Sequence, residues 1–112
     1  MMAVLDTQTG KVVAQGPTCS GSDATWIDAA LNRAFAACSD GHISVLTITG
    51  DMLTPLQTID TARGARTMTV DTVTHRLYTA AVKYAPADPG ARAGGRPQAL
   101  PDSFHVLVYG PK

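Results

Sequence analysis

The sequence predicts an all-β chain, and three observations carry that expectation. First, a segment repeats: DAALNRAFAAC, Asp28 to Cys38, aligns without a gap on DTVTHRLYTAA, Asp71 to Ala81, forty-three positions on. Asp28 matches Asp71, Arg33 matches Arg76, Phe35 matches Tyr78 and Ala37 matches Ala80, and Gly21 and Gly64 keep the same offset upstream. A period of this size marks stacked supersecondary units. Second, short apolar, β-branched runs alternate with Gly, Asp and Asn turn signals along the whole chain. Third, no window sustains a helical period, because β-branched residues and glycines interrupt each one.

The elements follow in order. Met2 to Asp6 and Lys11 to Gln15 are short apolar runs around the turn DTQTGK, which reads as a hairpin. GPTCSGS, Gly16 to Ser22, is a loop by composition. Ala24 to Asp28, ATWID, is the third strand, with β-branched and aromatic residues. Asp28 then turns the chain, its carboxylate suited to accept amides two residues on. Arg33 to Cys38 is the fourth strand, and Ser39-Asp40-Gly41 a tight turn. His42 to Ile48 is the fifth strand. Leu53 to Ile59 is the sixth, and Pro55 places it at a sheet edge because proline has no amide to donate.

The cycle then restarts. Thr67 to Asp71 answers ATWID, and Arg76 to Lys83 answers RAFAAC. The tight Ser-Asp-Gly turn is replaced by a long insertion, Tyr84 to Asp102, which contains Pro86, Pro89, Gly90, Gly94, Gly95, Pro97 and Pro101. A loop of this length within a compact fold is either functional or loosely held. Phe104 to Tyr109 is the ninth strand.

Four strands per ~40 residues with short turns is the arithmetic of a β-propeller blade. With strands lettered a to d from the axis outward, the chain reads as a partial propeller. Residues 2–16 supply c and d of one blade. Residues 23–60 are a full four-stranded blade, and residues 64–110 supply a, b and c of the next, with 84–102 as the b–c loop. All of 1–112 is then one domain. The small apolar run AFAA in strand b suits an element pressed from both sides. The pairs Val4-Leu5, Val45-Leu46 and Val106-Leu107 recur in the three c strands. Trp26, in mid-strand a, is expected to pack between blades.

The same residues resemble a known family. DTVTHRLYTAA is similar, at Asp71, Thr74, Arg76 and Tyr78, to the a–b hairpin signature of the YVTN-type β-propeller repeat proteins of bacteria and archaea. DAALNRAFAAC fits it more loosely. DTQTGKVVA resembles the family's c–d turn, and GART, Gly64 to Thr67, its blade start. The closing Asn of the signature is absent, with Ala81 and Cys38 standing there, and so is the Pro after Asp. The resemblance covers roughly residues 2 to 83 and the last strand, and it implies a ring of about seven blades and roughly 300 residues. Three readings stay open: a piece of a larger propeller, a subunit that assembles head to tail, or a small free-standing β domain. The family's usual periplasmic or surface setting is implied by the resemblance alone. No basic-then-apolar secretion signal is legible at the start of the chain.

Composition excludes some functions. Nine Lys and Arg balance nine Asp and Glu, which gives no electrostatic footprint for nucleic acid. No run approaches the ~20 apolar residues of a membrane helix. The motifs GxSxG, HExxH, GxGxxG and the P-loop are all missing. No catalytic residue, metal site or cofactor is therefore expected. The histidines, His42, His75 and His105, lack ligand spacing, and His75 reads as a turn residue.

Strand polarity places the d–a and b–c loops on one rim of the expected propeller. That rim collects Arg63 and Arg66 around Gly64, His42 at the start of strand c, and Arg92 and Arg96 on the insertion. Guanidinium forks suit carboxylate or phosphate, so these five residues are the candidate site for a polar or anionic ligand. Cys19 and Cys38 fall on this rim too. That permits a disulfide if their Cα atoms come within ~7 Å, and the exported setting implied by the resemblance favours one. The opposite rim holds the a–b turns, with Asp28, Asn32, Asp71 and His75.

Two functions from different classes are expected. One is a non-catalytic binding or scaffolding surface for a protein or small polar ligand. The other is part of an enzyme whose active site needs further blades, with Arg63 and Arg66 holding an anionic substrate. Open blade edges also make a homo-oligomer an expected partner state.

Overall fold

The computed structural model describes every residue except Ala91, Ala93 and Lys112. Among the described residues there is no helix, and nine strands form three antiparallel sheets. The first sheet pairs β1 (Met2–Leu5) with β2 (Val12–Gly16). The central sheet runs in sequence order through β3 (Ser22–Asp28), β4 (Arg33–Cys38), β5 (His42–Thr49) and β6 (Met52–Asp60). The third sheet runs through β7 (Met68–Asp71), β8 (Arg76–Ala81) and β9 (His105–Tyr109). All paired strands are neighbours in sequence, so no crossover is needed: short turns join them everywhere except between β8 and β9, where the long insertion intervenes.

The sheets stack face to face in a row. On one face of the central sheet Phe35, Ala37, Ile43 and Val45 pack against Val70 and Leu77 of the third sheet. On the other face Ala34, Leu46 and Leu53 meet Met2, Val4 and Ala14 of the first sheet. β4 is therefore covered on both sides. Its five residues from Ala34 to Cys38 are all buried, which explains why the run contains almost only small apolar side chains. Three alanines in six positions let two neighbouring sheets approach the same strand, and any larger residue would push one of them away. Gly16 serves the same purpose at the outer edge: a Cβ there would stand 2.6 Å from Leu46 Cδ2.

The repeat extends to backbone conformation. Gly21 and Gly64 both take positive φ, 71° and 85°. Asn32 and His75, also forty-three positions apart, close equivalent hairpins at φ 50° and 60°, the left-handed region that non-glycine residues visit mainly in tight turns. Asp28 and Asp71 each begin their hairpin by accepting two amides, Ala30 and Leu31 at 3.1 and 3.3 Å for Asp28, and Val73 and Thr74 at 2.9 and 3.3 Å for Asp71.

Several expectations shift. β3 starts at Ser22 rather than Ala24, because an irregularity in the register lets Ser22 pair with Cys38. β8 ends at Ala81 rather than Lys83, since the Lys83 amide donates instead to Ser103 Oγ at 3.0 Å. Pro55 does lie on an edge strand, β6, beside a bulge that takes Leu56 out of the pairing. Trp26 is a correction: it shares a face with Phe35 but is 39% exposed. Its strand is the free edge of the central sheet, so one flank of the indole faces solvent. The insertion, of which Ala91 and Ala93 lie outside the described residues, has an ordered root. Tyr84 bridges to Ala99, Ala85 N donates to Gln98 O at 2.8 Å and Leu100 N donates to Lys83 O at 2.8 Å.

The radius of gyration is 16.2 Å and the extents are 50 × 31 × 22 Å. A compact chain of this length has a radius of about 13 Å. The difference follows from stacking sheets along one line without closing them.

Candidate functional site

Two polar clusters are built by this stacking. The first surrounds the loop between β2 and β3. Cys19, on that loop, is joined by a disulfide to Cys38 at the end of β4, with Cα atoms 5.9 Å apart. Cys19 N donates to Ser44 Oγ at 2.8 Å, and the neighbouring Ser20 N donates to Asp40 Oδ2 at 2.8 Å. Asp40, in the turn between β4 and β5, also accepts the His42 amide at 3.2 Å and stands 3.0 Å from His42 Nδ1. The other ring nitrogen of His42 lies 3.6 Å from Asp60 Oδ1. Burial disfavours the charged form of Asp40, but the Ser20 amide and the His42 ring and amide outweigh it and hold the carboxyl below its ordinary pKa.

These residues border an open groove of about 600 Å³, whose lining includes Cys19, Asp40, His42, Ser44, Pro55 and Gln57. The Asp-Gly-His spacing of the turn explains the pairing: Asp40 begins the turn, Gly41 takes φ 96°, and His42 re-enters the strand opposite Cys38. Sequence reasoning singled out His42 and the two cysteines but missed Asp40 and Asp60. The legible signal was the Asp two residues before His in a tight turn.

Of the candidate anion ligands, only His42 lines this groove. Arg66 Nε pairs with Asp23 Oδ2 at 3.4 Å, both side chains more than half exposed, and such a pair contributes little to stability. Arg63, Arg92 and Arg96 are exposed. The segment carrying Arg63 and Arg66 is tied to the turn below it, because Gly64 N donates to Ser39 O at 2.9 Å and Thr61 N donates to Gly41 O at 2.8 Å. The segment carrying Arg63 and Arg66 thus lies beside the turn that borders the groove, while the groove's own charged groups are a carboxylate and an imidazole.

The second cluster joins two sheets. Asp28, at the end of β3, is 1% exposed. Its Oδ2 accepts a hydrogen bond from His75 Nδ1 at 2.5 Å, across forty-seven positions of sequence. A carboxylate can only accept, so the hydrogen sits on Nδ1 and the ring's Nε2 faces away from the pair. Burial raises the Asp28 pKa, but the His75 bond, the Leu31 amide, the His75 charge and the Ala30 amide lower it further, leaving the net shift downward. The sequence reading placed Asp28 and His75 on one rim without joining them. The missed signal was geometric: turns of successive repeats are neighbours on a rim, so the first residue of one turn can reach the fifth of the next.

An imidazole oriented by a buried carboxylate is also half of a catalytic dyad. Among the described residues, no Ser, Cys or Thr side chain hydrogen-bonds to His75, and the pair links the central sheet to the third. No family model, curated protein or solved structure matches the chain.

Proposed function

We propose that this chain is a β-propeller segment of the YVTN type whose role is to present a non-catalytic binding or scaffolding surface, with the rim that bears Arg63, Arg66, Arg92, Arg96 and His42 as its binding side. The observation that supports it most is the fastening between Asp28 and His75. It joins the first turn position of one repeat to the fifth of the next, and the corresponding positions on either side stand ready to continue the series. Asp71 occupies the place of Asp28 in the third sheet, and Asn32 the place of His75 in the central one. Asp71 is half-buried and, besides its turn amides, takes only its neighbour Thr74, whose Oγ1 donates to it at 2.7 Å.

The outer faces support the same reading. Along β9, Val106 and Val108 point away from the core, each 53% exposed, paired with Ala80 and Tyr78. On the first sheet Leu5 and Val13 point outward, 54% and 40% exposed. A sheet face that meets water ordinarily alternates to polar residues. Near-continuous apolar strands are the pattern of sheets covered on both sides, as β4 is.

Light scattering after gel filtration tests this. The chain by itself is expected to associate with rising concentration through these faces, and the double substitution Val106→Lys with Val108→Lys is expected to reduce that association. A wild-type chain that stays monomeric throughout, with no dye-accessible apolar surface, would contradict the proposal. Turnover of any substrate that depended on Arg66 or His42 would favour the alternative, an enzyme completed by further blades.

A further inference from the structure

We infer that reduction of the Cys19–Cys38 disulfide converts the floor of the groove into a binding site for a thiophilic divalent cation, with Zn²⁺ as the best fit. The two sulfurs and a carboxylate oxygen of Asp40 lie within 4.8 Å of one another. Two thiolates and one carboxylate are a donor set that zinc accepts, with metal–sulfur distances of about 2.3 Å and metal–oxygen distances of about 2.0–2.2 Å. Around one tetrahedral ion the two sulfurs stand about 3.7 Å apart. The sulfurs therefore need to separate by less than the length of their former bond, which side-chain rotation supplies.

The surroundings favour the site. Asp40 is held in place by the Ser20 amide and by His42 before any ion arrives. His42, whose Nδ1 faces Asp40, becomes the outer partner that orients a ligating carboxylate. Cys19 is held at its amide by Ser44 Oγ, so the loop stays seated when the sulfur bond opens. Cys38 is buried, Cys19 half-buried and Asp40 exposed, which gives the ion a closed floor and an open approach. The fourth coordination position faces the groove and is left for water or a small ligand.

The chemistry balances with a dithiol as the reductant. The dithiol gives two electrons and two protons to the Sγ–Sγ bond, which breaks into two thiols, and the dithiol closes to its own disulfide. The cation then takes both sulfurs as thiolates and two protons leave to solvent. The oxidised chain holds no free thiolate and lacks the site, so cation binding is gated by redox state. This inference does not depend on the propeller reading, because all of its residues lie in the β2–β3 loop, β4, β5 and the turn between them.

Co²⁺ titration of the intact chain tests it, with and without prior reduction by a dithiol that is removed under inert gas. The reduced chain is expected to bind one Co²⁺ with a thiolate-to-cobalt charge-transfer band in the near ultraviolet, displaced by Zn²⁺. The oxidised chain is expected to show no such band. Asp40→Asn is expected to weaken binding by roughly ten-fold or more, and His42→Gln by about ten-fold. Three results would each overturn the inference: no charge-transfer band in the reduced chain, equal binding by wild type and Asp40→Asn, or loss of the β-sheet circular dichroism of the reduced chain whether or not Zn²⁺ is present.

Discussion

Replacing Asp28 by alanine is expected to lower the unfolding free energy by about 3 kcal/mol, read as an earlier midpoint in urea denaturation. Three hydrogen bonds end on this carboxylate, two from its own turn and one from His75 in the next sheet. The group is almost wholly buried, so water cannot replace it on the sheet-facing side. Alanine removes the turn's first acceptor and the fastening between sheets together. Asp71→Ala is the internal control. It deletes the matching turn bonds, together with the one from Thr74 Oγ1, at a half-buried position with no histidine beyond it, and its effect should be clearly smaller.

The same carboxylate fixes the direction of acid sensitivity. Its folded pKa lies below the ordinary value of 3.8. A carboxyl depressed on folding contributes stability that is present above its unfolded pKa and is lost as pH falls through the folded one. Stability should therefore hold from neutral pH down to about 4 and decline below it. Asp28→Asn should flatten that decline.

Reduction of the disulfide carries the second large effect. Cys19 and Cys38 are separated by 19 positions, and closing a loop of that size in the unfolded chain is worth about 3 kcal/mol in the chain-entropy account. A domain of this size has about 5–15 kcal/mol in total. The reduced chain should thus remain folded but unfold at markedly lower urea or temperature, and Cys19→Ala should match it. An unchanged midpoint would mean that the bridge constrains little beyond what the Ser44 and Asp40 contacts already fix. Addition of Zn²⁺ should restore part of the loss in the reduced wild type and none in Cys19→Ala.

The strands were legible because they are local. β4 could be read to the residue, Arg33 to Cys38, since a run of small apolar residues between a turn and an Asp-Gly pair has few other interpretations. Turn chemistry placed Asp28, Gly41 and Pro55 for the same reason. Contacts that cross from one sheet to another were less legible. Asp28 and His75 are each ordinary turn residues in the sequence, and only their neighbourhood in space makes them a pair. Trp26 misled because a large aromatic in an apolar strand suggests burial, whereas the edge position of β3 leaves part of it in water. The arginines misled in part for a related reason: residue type suggests an anion site, but Arg66 reaches Asp23, and the groove nearby is lined by Asp40 instead. Asp40 became visible only once the turn, the loop carrying Ser20 and the disulfide were seen together.

Consecutive repeats stack face to face and are fastened from the first turn position of one to the fifth of the next. A double-mutant cycle on Asp28→Ala and His75→Ala measures that fastening most directly. A coupling of about 1.5–3 kcal/mol is expected, the range for contacting residues with a buried charge. A coupling within about 0.3 kcal/mol of zero, the level at which distant sites simply add, would mean that the two turns do not meet and that the sheets are not stacked as described.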